Sequence, residues 1–206
     1  MHEVSISQLW NRAWDLFEVN WLLLLGLYVL SVIVSFLIPD IGGLITMILL
    51  SPVLVRAGYL VARQGQSSFR EAFRNISLLL KVFVYYLILG LIPGILIGVG
   101  YILERDSAGT VVVGYILLFI LNLFGWAGPY AILSGRAGIF SAIEQSFSLT
   151  AQNFGKVFVA FLSYIGLGIL GAIPCGVGLL VVGPMGYVFL PLLYLALTGE
   201  EGLPHS

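Results

Sequence analysis

The chain has 206 residues, a mean hydropathy of +1.07 and a net charge of −1; 60% of its residues are hydrophobic and 9% are charged. Soluble domains carry about 25% charged residues, so one soluble core of this length cannot hide so much apolar surface. The composition excludes a soluble enzyme, a secreted disulfide scaffold and a disordered chain, and predicts an all-α integral membrane protein.

The near-neutral charge provides no global field for nucleic acid. The lone Cys175 forbids an internal disulfide and a multi-cysteine metal site, and His2 and His205 stand at opposite ends. No cofactor or metal is expected, and no catalytic carboxylate, histidine or cysteine set has the required spacing. Serine–glycine neighbours such as Ser134-Gly135 do not make a nucleophile elbow.

The chain opens on an amphipathic segment. Ile6, Leu9, Trp10, Ala13, Trp14 and Phe17 share one helical side; Gln8, Asn11, Arg12, Asp15 and Glu18 share the other. This reads as an interfacial helix with tryptophans at headgroup depth. Six apolar runs long enough to cross a bilayer follow: Trp21–Ile38, Ile41–Ala62, Leu78–Leu103, Thr110–Leu133, Val157–Ile173 and Gly176–Leu197. The first lacks a small-residue cleavage site and reads as a retained span rather than a signal peptide.

Connections alternate in charge. Pro39-Asp40 and Pro174-Cys175-Gly176 carry no positive residue, and Glu104 to Gly109 carries Arg105 alone. The other side holds Arg12, Arg56, Arg63, Arg70, Arg74, Lys81, Arg136 and Lys156, eight of the nine basic residues. The positive-inside rule assigns that side, with both termini, to the cytoplasm of a prokaryotic inner membrane.

Three segments share one spacing (+4, +7, +10, +11) ahead of a span pair: Trp10, Trp14, Phe17, Asn20, Trp21; Phe69, Phe73, Ile76, Leu79, Leu80; and Ile143, Phe147, Thr150, Asn153, Phe154. Each begins near a capping-box pattern, Ser5-x-x-Gln8, Ser68-x-x-Glu71 and Ser141-x-x-Glu144. A prolyl motif recurs in each second span, at Ser51-Pro52, Gly128-Pro129 and Gly183-Pro184. The expected architecture is a single membrane domain, 1–206, of three parallel repeats (about 5–63, 67–136 and 141–198). Each repeat is an interfacial amphipathic helix followed by a two-span hairpin.

Particular motifs carry a family resemblance: the aromatic helix entering Asn20-Trp21, the Arg56-Ala57-Gly58-Tyr59 segment, Gln64 to Phe69 leading to Ala72-Phe73, and Ser146 to Thr150 with Asn153-Phe154-Gly155-Lys156. With these the chain resembles a broad group of six-span prokaryotic membrane proteins of uncharacterised function. That group includes the membrane domain fused ahead of some glycerophosphodiester phosphodiesterases. The resemblance spans Ile6 to Leu197 and implies a helical membrane domain; with no hydrolase domain here, the phosphodiesterase chemistry does not carry over.

Few polar groups lie at membrane depth. Asn122, near the middle of the fourth run, reads either as a ligand in a midplane cavity or as an interhelical hydrogen bond. Arg56 reads as snorkelling to phosphates, the alternative being a buried ion pair or anion site, and Asp15 and Glu144 read as solvated helix faces. Gly94-x-x-x-Gly98 beside Pro93 reads as a close-packing kink, the alternative being a broken helix at a transporter site.

Three functions follow from these features. The first is a non-enzymatic module that binds anionic lipid or a membrane protein partner through Trp10, Arg12, Trp14, Phe17, Arg56, Phe69, Arg70, Phe73, Arg74, Phe147 and Lys156. The second is a small-solute or lipid transporter with a midplane site at Asn122, supported thinly by Ser31, Ser35, Thr46 and Ser163. The third, a lipid-acting enzyme, lacks a recognisable catalytic group.

Overall fold

The computed structural model describes residues 5–37, 46–102, 108–173 and 176–200, which are helical with short connections. In chain order these are α1 (Ile6–Leu37), a π-helical turn (Thr46–Leu50) running into α2 (Ser51–Gln64), α3 (Phe69–Phe73), α4 (Ile76–Ile102), α5 (Ala108–Gly125), α6 (Gly128–Leu133), α7 (Ile139–Gln152), α8 (Phe154–Ala172) and α9 (Leu179–Thr198). Among the described residues, five helical stretches are long and apolar enough to cross a membrane: α1, α4, Gly109–Leu133, α8 and α9. The expected run Ile41–Ala62 is helical from Thr46 onward, and its beginning lies outside the described residues. So do the Pro39-Asp40 and Pro174-Cys175 turns, the charged connection from Glu104 to Ser107, and both histidines.

Three helix breaks separate an amphipathic helix from an apolar one, and each falls on an asparagine. Asn20 leaves helical geometry inside α1 (φ −113°, ψ 15°), Asn75 stands between α3 and α4 at φ 70°, and Asn153 between α7 and α8 (φ −122°, ψ 27°). Asparagine suits such a position because its amide can replace a backbone bond locally, and it tolerates left-handed geometry. Asn20 Nδ2 donates to the carbonyl of Leu16, and Asn153 Nδ2 to that of Leu149, at 2.9 and 3.0 Å. Asn20 also ties down the next connection, donating to Gly65 O at 2.9 Å and accepting from the Ser67 N–H at 3.2 Å. In the middle segment the break therefore lies four residues earlier than the shared aromatic spacing implies, at Asn75 rather than Leu79.

Helix starts divide the same way. Ser5 with Gln8 and Ser68 with Glu71 form reciprocal side-chain to backbone bonds, as the capping pattern predicts. Ser141 does not. The helix already begins at Ile139 with Gly138 as its N-cap, and the Ser141 hydroxyl donates back to Gly138 O.

The first and second helices of each pair take different places. In its most apolar stretch α9 is 61% buried, while α4 and α8 are each 17% buried. α2 buries residues from Pro52 to Ala62, and α6 buries Gly128 to Ile132. The outer faces of α4, α5 and α8 present Leu87, Leu91, Ile95, Ile116, Phe119, Leu162 and Ile169 outward. An apolar exterior of this kind is stable in lipid, where tight packing and satisfied polar groups hold helices together.

Packing inside is close because glycine removes the Cβ. A Cβ on Gly58 would lie 1.8 Å from the carbonyl oxygen of Tyr187, so α2 and α9 touch backbone to backbone. Gly128 accepts the Tyr85 ring, Gly183 that of Tyr28, and Gly186 that of Tyr164. Gly94 and Gly98 face open space instead, so the expected close approach at Gly94-x-x-x-Gly98 does not occur within this chain.

Each amphipathic helix rests on other helices of the bundle. Trp10 stacks on Phe189 of α9 at 3.8 Å and 8°, and its indole N–H donates to Ser163 of α8 at 2.9 Å. Phe69 of α3 lies beside Gly26 of α1. α7 packs on α4, α5 and α6.

Candidate functional site

Where the second helices end, three tyrosines meet. Tyr59 of α2 and Tyr194 of α9 flank Tyr130 of α6, with ring centroids 6.2 and 5.8 Å apart. The helices terminate just beyond, each followed by a left-handed glycine: Gly65 (φ 81°), Gly135 (φ 78°) and Gly199 (φ 68°). At this end Arg63 donates to the Tyr59 hydroxyl at 3.3 Å, and Arg136 pairs with Glu200 at 2.9 Å.

The basic residues of α2 and α3 form a different arrangement. Arg56 is half-buried on α2 and donates to Asn75 O at 3.4 Å, a long bond. Arg74 immediately precedes Asn75, so both cationic side chains belong to this one connection. No carboxylate pairs with either among the described residues. Two like charges in one connection without an anion repel one another, and partial burial of one weakens the screening. Arg70 is exposed on the same short helix, with Phe69 48% and Phe73 45% exposed.

The remaining sequence-predicted contact residues separate. Trp10 and Phe17 are turned into the bundle and act as packing residues. Trp14 is exposed and donates to Glu18 at 2.7 Å. Arg12 is half-buried, and Lys156 is exposed at the start of α8. Phe147 is half-buried against Phe124, 5.5 Å between ring centroids.

Asn122 is exposed, and its amide donates to Leu118 O of its own helix at 2.8 Å, so it makes no bond across to a neighbouring helix. It borders a cleft of about 210 Å³ with Ser51, Tyr86, Leu89, Gly90 and Leu118. The other polar groups at this depth are bonded within the chain. Ser35 donates to Thr46, Thr46 to Ser31 O, Ser31 to Tyr28 O and Ser163 to Ala160 O.

The break between α5 and α6 is also sealed. Ser146 of α7 accepts from the Ala127 N–H at 3.0 Å and donates to Phe124 O at 2.8 Å. Thr150 accepts from the Trp126 indole N–H at 3.1 Å, and the Tyr85 hydroxyl donates to Gly125 O. Inside a membrane such satisfaction is required, since an open helix end has no water to bond. The sequence marked α7 by its amphipathic periodicity; what it did not reveal is that Ser146 and Thr150 close a break twenty residues upstream. No protein-family model matches the chain, and no curated protein or solved structure matches it either.

Proposed function

We propose that the chain is a non-enzymatic membrane module of the prokaryotic inner membrane that holds anionic lipid at its cytoplasmic face. The observation carrying this reading is the cationic connection before α4, where half-buried Arg56 donates to Asn75 O next to exposed Arg74 and no carboxylate is salt-bridged to either arginine among the described residues. A phospholipid phosphate would relieve their repulsion and accept charge-assisted hydrogen bonds. Exposed Phe69 and Phe73 beside the pair suit the headgroup–acyl boundary, and a membrane protein partner would use the same aromatic surface.

The architecture we infer is six spans in three parallel repeats, with both termini cytoplasmic, akin to the six-span prokaryotic group named above. Its support is threefold: the asparagine breaks at 20, 75 and 153, the left-handed glycines at 65, 135 and 199, and amphipathic helices that each rest on other helices of the bundle. The contact of Trp10 with α8 and α9 joins the first repeat to the third.

A second reading, transport of a small solute or lipid through a midplane site at Asn122, is favoured by the cleft beside Ser51 and Tyr86. It needs a continuous polar path. The neighbouring hydroxyls spent on internal bonds, and the sealed break before α6, favour the lipid module instead.

Native mass spectrometry of protein equilibrated with phosphatidylglycerol or phosphatidylcholine tests the lipid reading. Each basic residue near an anionic surface contributes about 1 kcal/mol. The Arg56→Gln, Arg74→Gln double substitution is thus expected to lose about 2 kcal/mol of phosphatidylglycerol binding, a roughly 30-fold weakening, with phosphatidylcholine unchanged. Asn122→Leu leaves retention unaltered. Equal retention of both lipids, indifferent to the double substitution, contradicts the reading.

A further inference from the structure

A separate cleft of about 430 Å³ opens between α7 and the ends of α6 and α9, within the size range of small-molecule sites. Its floor is small and apolar, formed by Ala127, Ala131 and Leu149. Its walls are polar. α7 turns three stripes in three directions. Ala142, Ser146 and Thr150 are buried against the preceding helices, and Phe140 points outward. Glu144, Ser148 and Gln152, each one helical turn from the next, line the cleft together with Gln145. Tyr194 and Thr198 of α9 and Arg136 complete it.

The charges of this lining are not balanced locally. Arg136 is bound on one side by Glu200 at 2.9 Å, yet 56% of its side chain stays exposed. A guanidinium carries five donors in a planar fork, so donors remain for an anion. Glu144 is exposed and has no ion-pair partner among the described residues. The cleft thus offers a cationic fork, a separate carboxylate, and hydroxyls and amides between them. A molecule with an anionic group at one end and an ammonium at the other complements it.

We propose that this cleft binds an ethanolamine phosphate group, with the phosphate on Arg136 and the primary ammonium on Glu144. The amides of Gln145 and Gln152 and the hydroxyl of Ser148 supply the intervening hydrogen bonds. A primary ammonium has three N–H donors for a carboxylate and amide oxygens, whereas a trimethylammonium has none. The site therefore selects ethanolamine over choline. The group could be delivered as free phosphoethanolamine or as the headgroup of phosphatidylethanolamine, since both present the same chemistry. This proposal stands apart from the Arg56–Arg74 site and does not rest on it.

Calorimetric titration of the purified full chain with phosphoethanolamine and phosphocholine tests it. Native mass spectrometry from nanodiscs of phosphatidylethanolamine or phosphatidylcholine runs in parallel. Phosphoethanolamine is expected to bind at least roughly ten-fold more tightly than phosphocholine, and Glu144→Gln to weaken it by at least roughly ten-fold. Ser148→Trp, which fills the cleft from an exposed position, abolishes binding, while Lys81→Gln, exposed on α4, leaves it unchanged. Saturable binding in the titration alone identifies the soluble compound as the ligand; selective lipid retention alone identifies the headgroup; both support the site. Saturable binding of neither, or binding indifferent to Glu144→Gln and Ser148→Trp in variants that melt like the parent, overturns it.

Discussion

Gly58→Ala is expected to cost about 3 kcal/mol or more, the upper end for overpacking a tight contact. The new methyl would fall 1.8 Å from the Tyr187 carbonyl oxygen and 2.6 Å from its carbon. Both are backbone atoms of a buried helix, so no side-chain rotation relieves the clash. α2 and α9 must separate, and the packing of their buried faces goes with them. Gly94→Ala and Gly98→Ala are the matched controls, since a methyl there meets nothing within 4 Å. These are expected to be neutral or to gain a few tenths of a kcal/mol through better helix propensity. Thermal melting in detergent, followed by size-exclusion chromatography, reads all three. A Gly58→Ala variant that melts with the parent contradicts the backbone contact.

Trp10→Ala carries the second large effect, about 3 kcal/mol for loss of a packed aromatic ring. The indole stacks on Phe189, lies 6.3 Å from Tyr164, and donates to Ser163. Trp10→Phe keeps the stacking and gives up the hydrogen bond, a loss of about 1 kcal/mol. Trp14→Ala removes a ring that is 44% exposed and bonded only to the neighbouring Glu18, so its cost is within about 1 kcal/mol. Denaturant titration in mixed micelles ranks the three. A larger loss at Trp14 than at Trp10 is the contrary outcome.

The two tryptophans mark where sequence reading stops. Both lie on one apolar arc of one helix, and periodicity treats them alike. Which of them meets protein depends on where α8 and α9 stand, far along the chain: Ser163 is 153 positions from Trp10. The long apolar helices were legible because lipid demands a continuous run, and that demand is written locally. The capping boxes at Ser5 and Ser68 were legible for the same reason. Ser141-x-x-Glu144 carried the same letters inside a helix that Gly138 had already started.

The breaks show both outcomes. Asn20 and Asn153 fell on the shared spacing, whereas Asn75 escaped it, because α3 has only five residues and gives no helical period to align. Gly94 and Gly98 had the spacing of a packing motif but face open space, while Gly58, with no such motif, makes the tightest glycine contact. The polar cleft was hidden because Arg136, Glu144 and Tyr194 reach it from the turn after α6, from α7 and from α9. Glu144 alone reads as one more solvated acid.

The proposed lipid site requires one orientation, with the asparagine breaks, Arg56, Arg74 and the ends of α2, α6 and α9 all on the cytoplasmic side. Single cysteines introduced in intact cells, with Cys175 replaced by serine, measure it most directly. Gln66 is exposed between α2 and α3 and Ser141 in the first turn of α7, while Gly109 is exposed at the start of α5 and Val177 in the connection before α9. A membrane-impermeant maleimide is expected to label Gly109→Cys and Val177→Cys from outside, and Gln66→Cys and Ser141→Cys only after the cells are opened. Ready labelling of Gln66→Cys or Ser141→Cys in intact cells would contradict the orientation and, with it, the inner-leaflet lipid site.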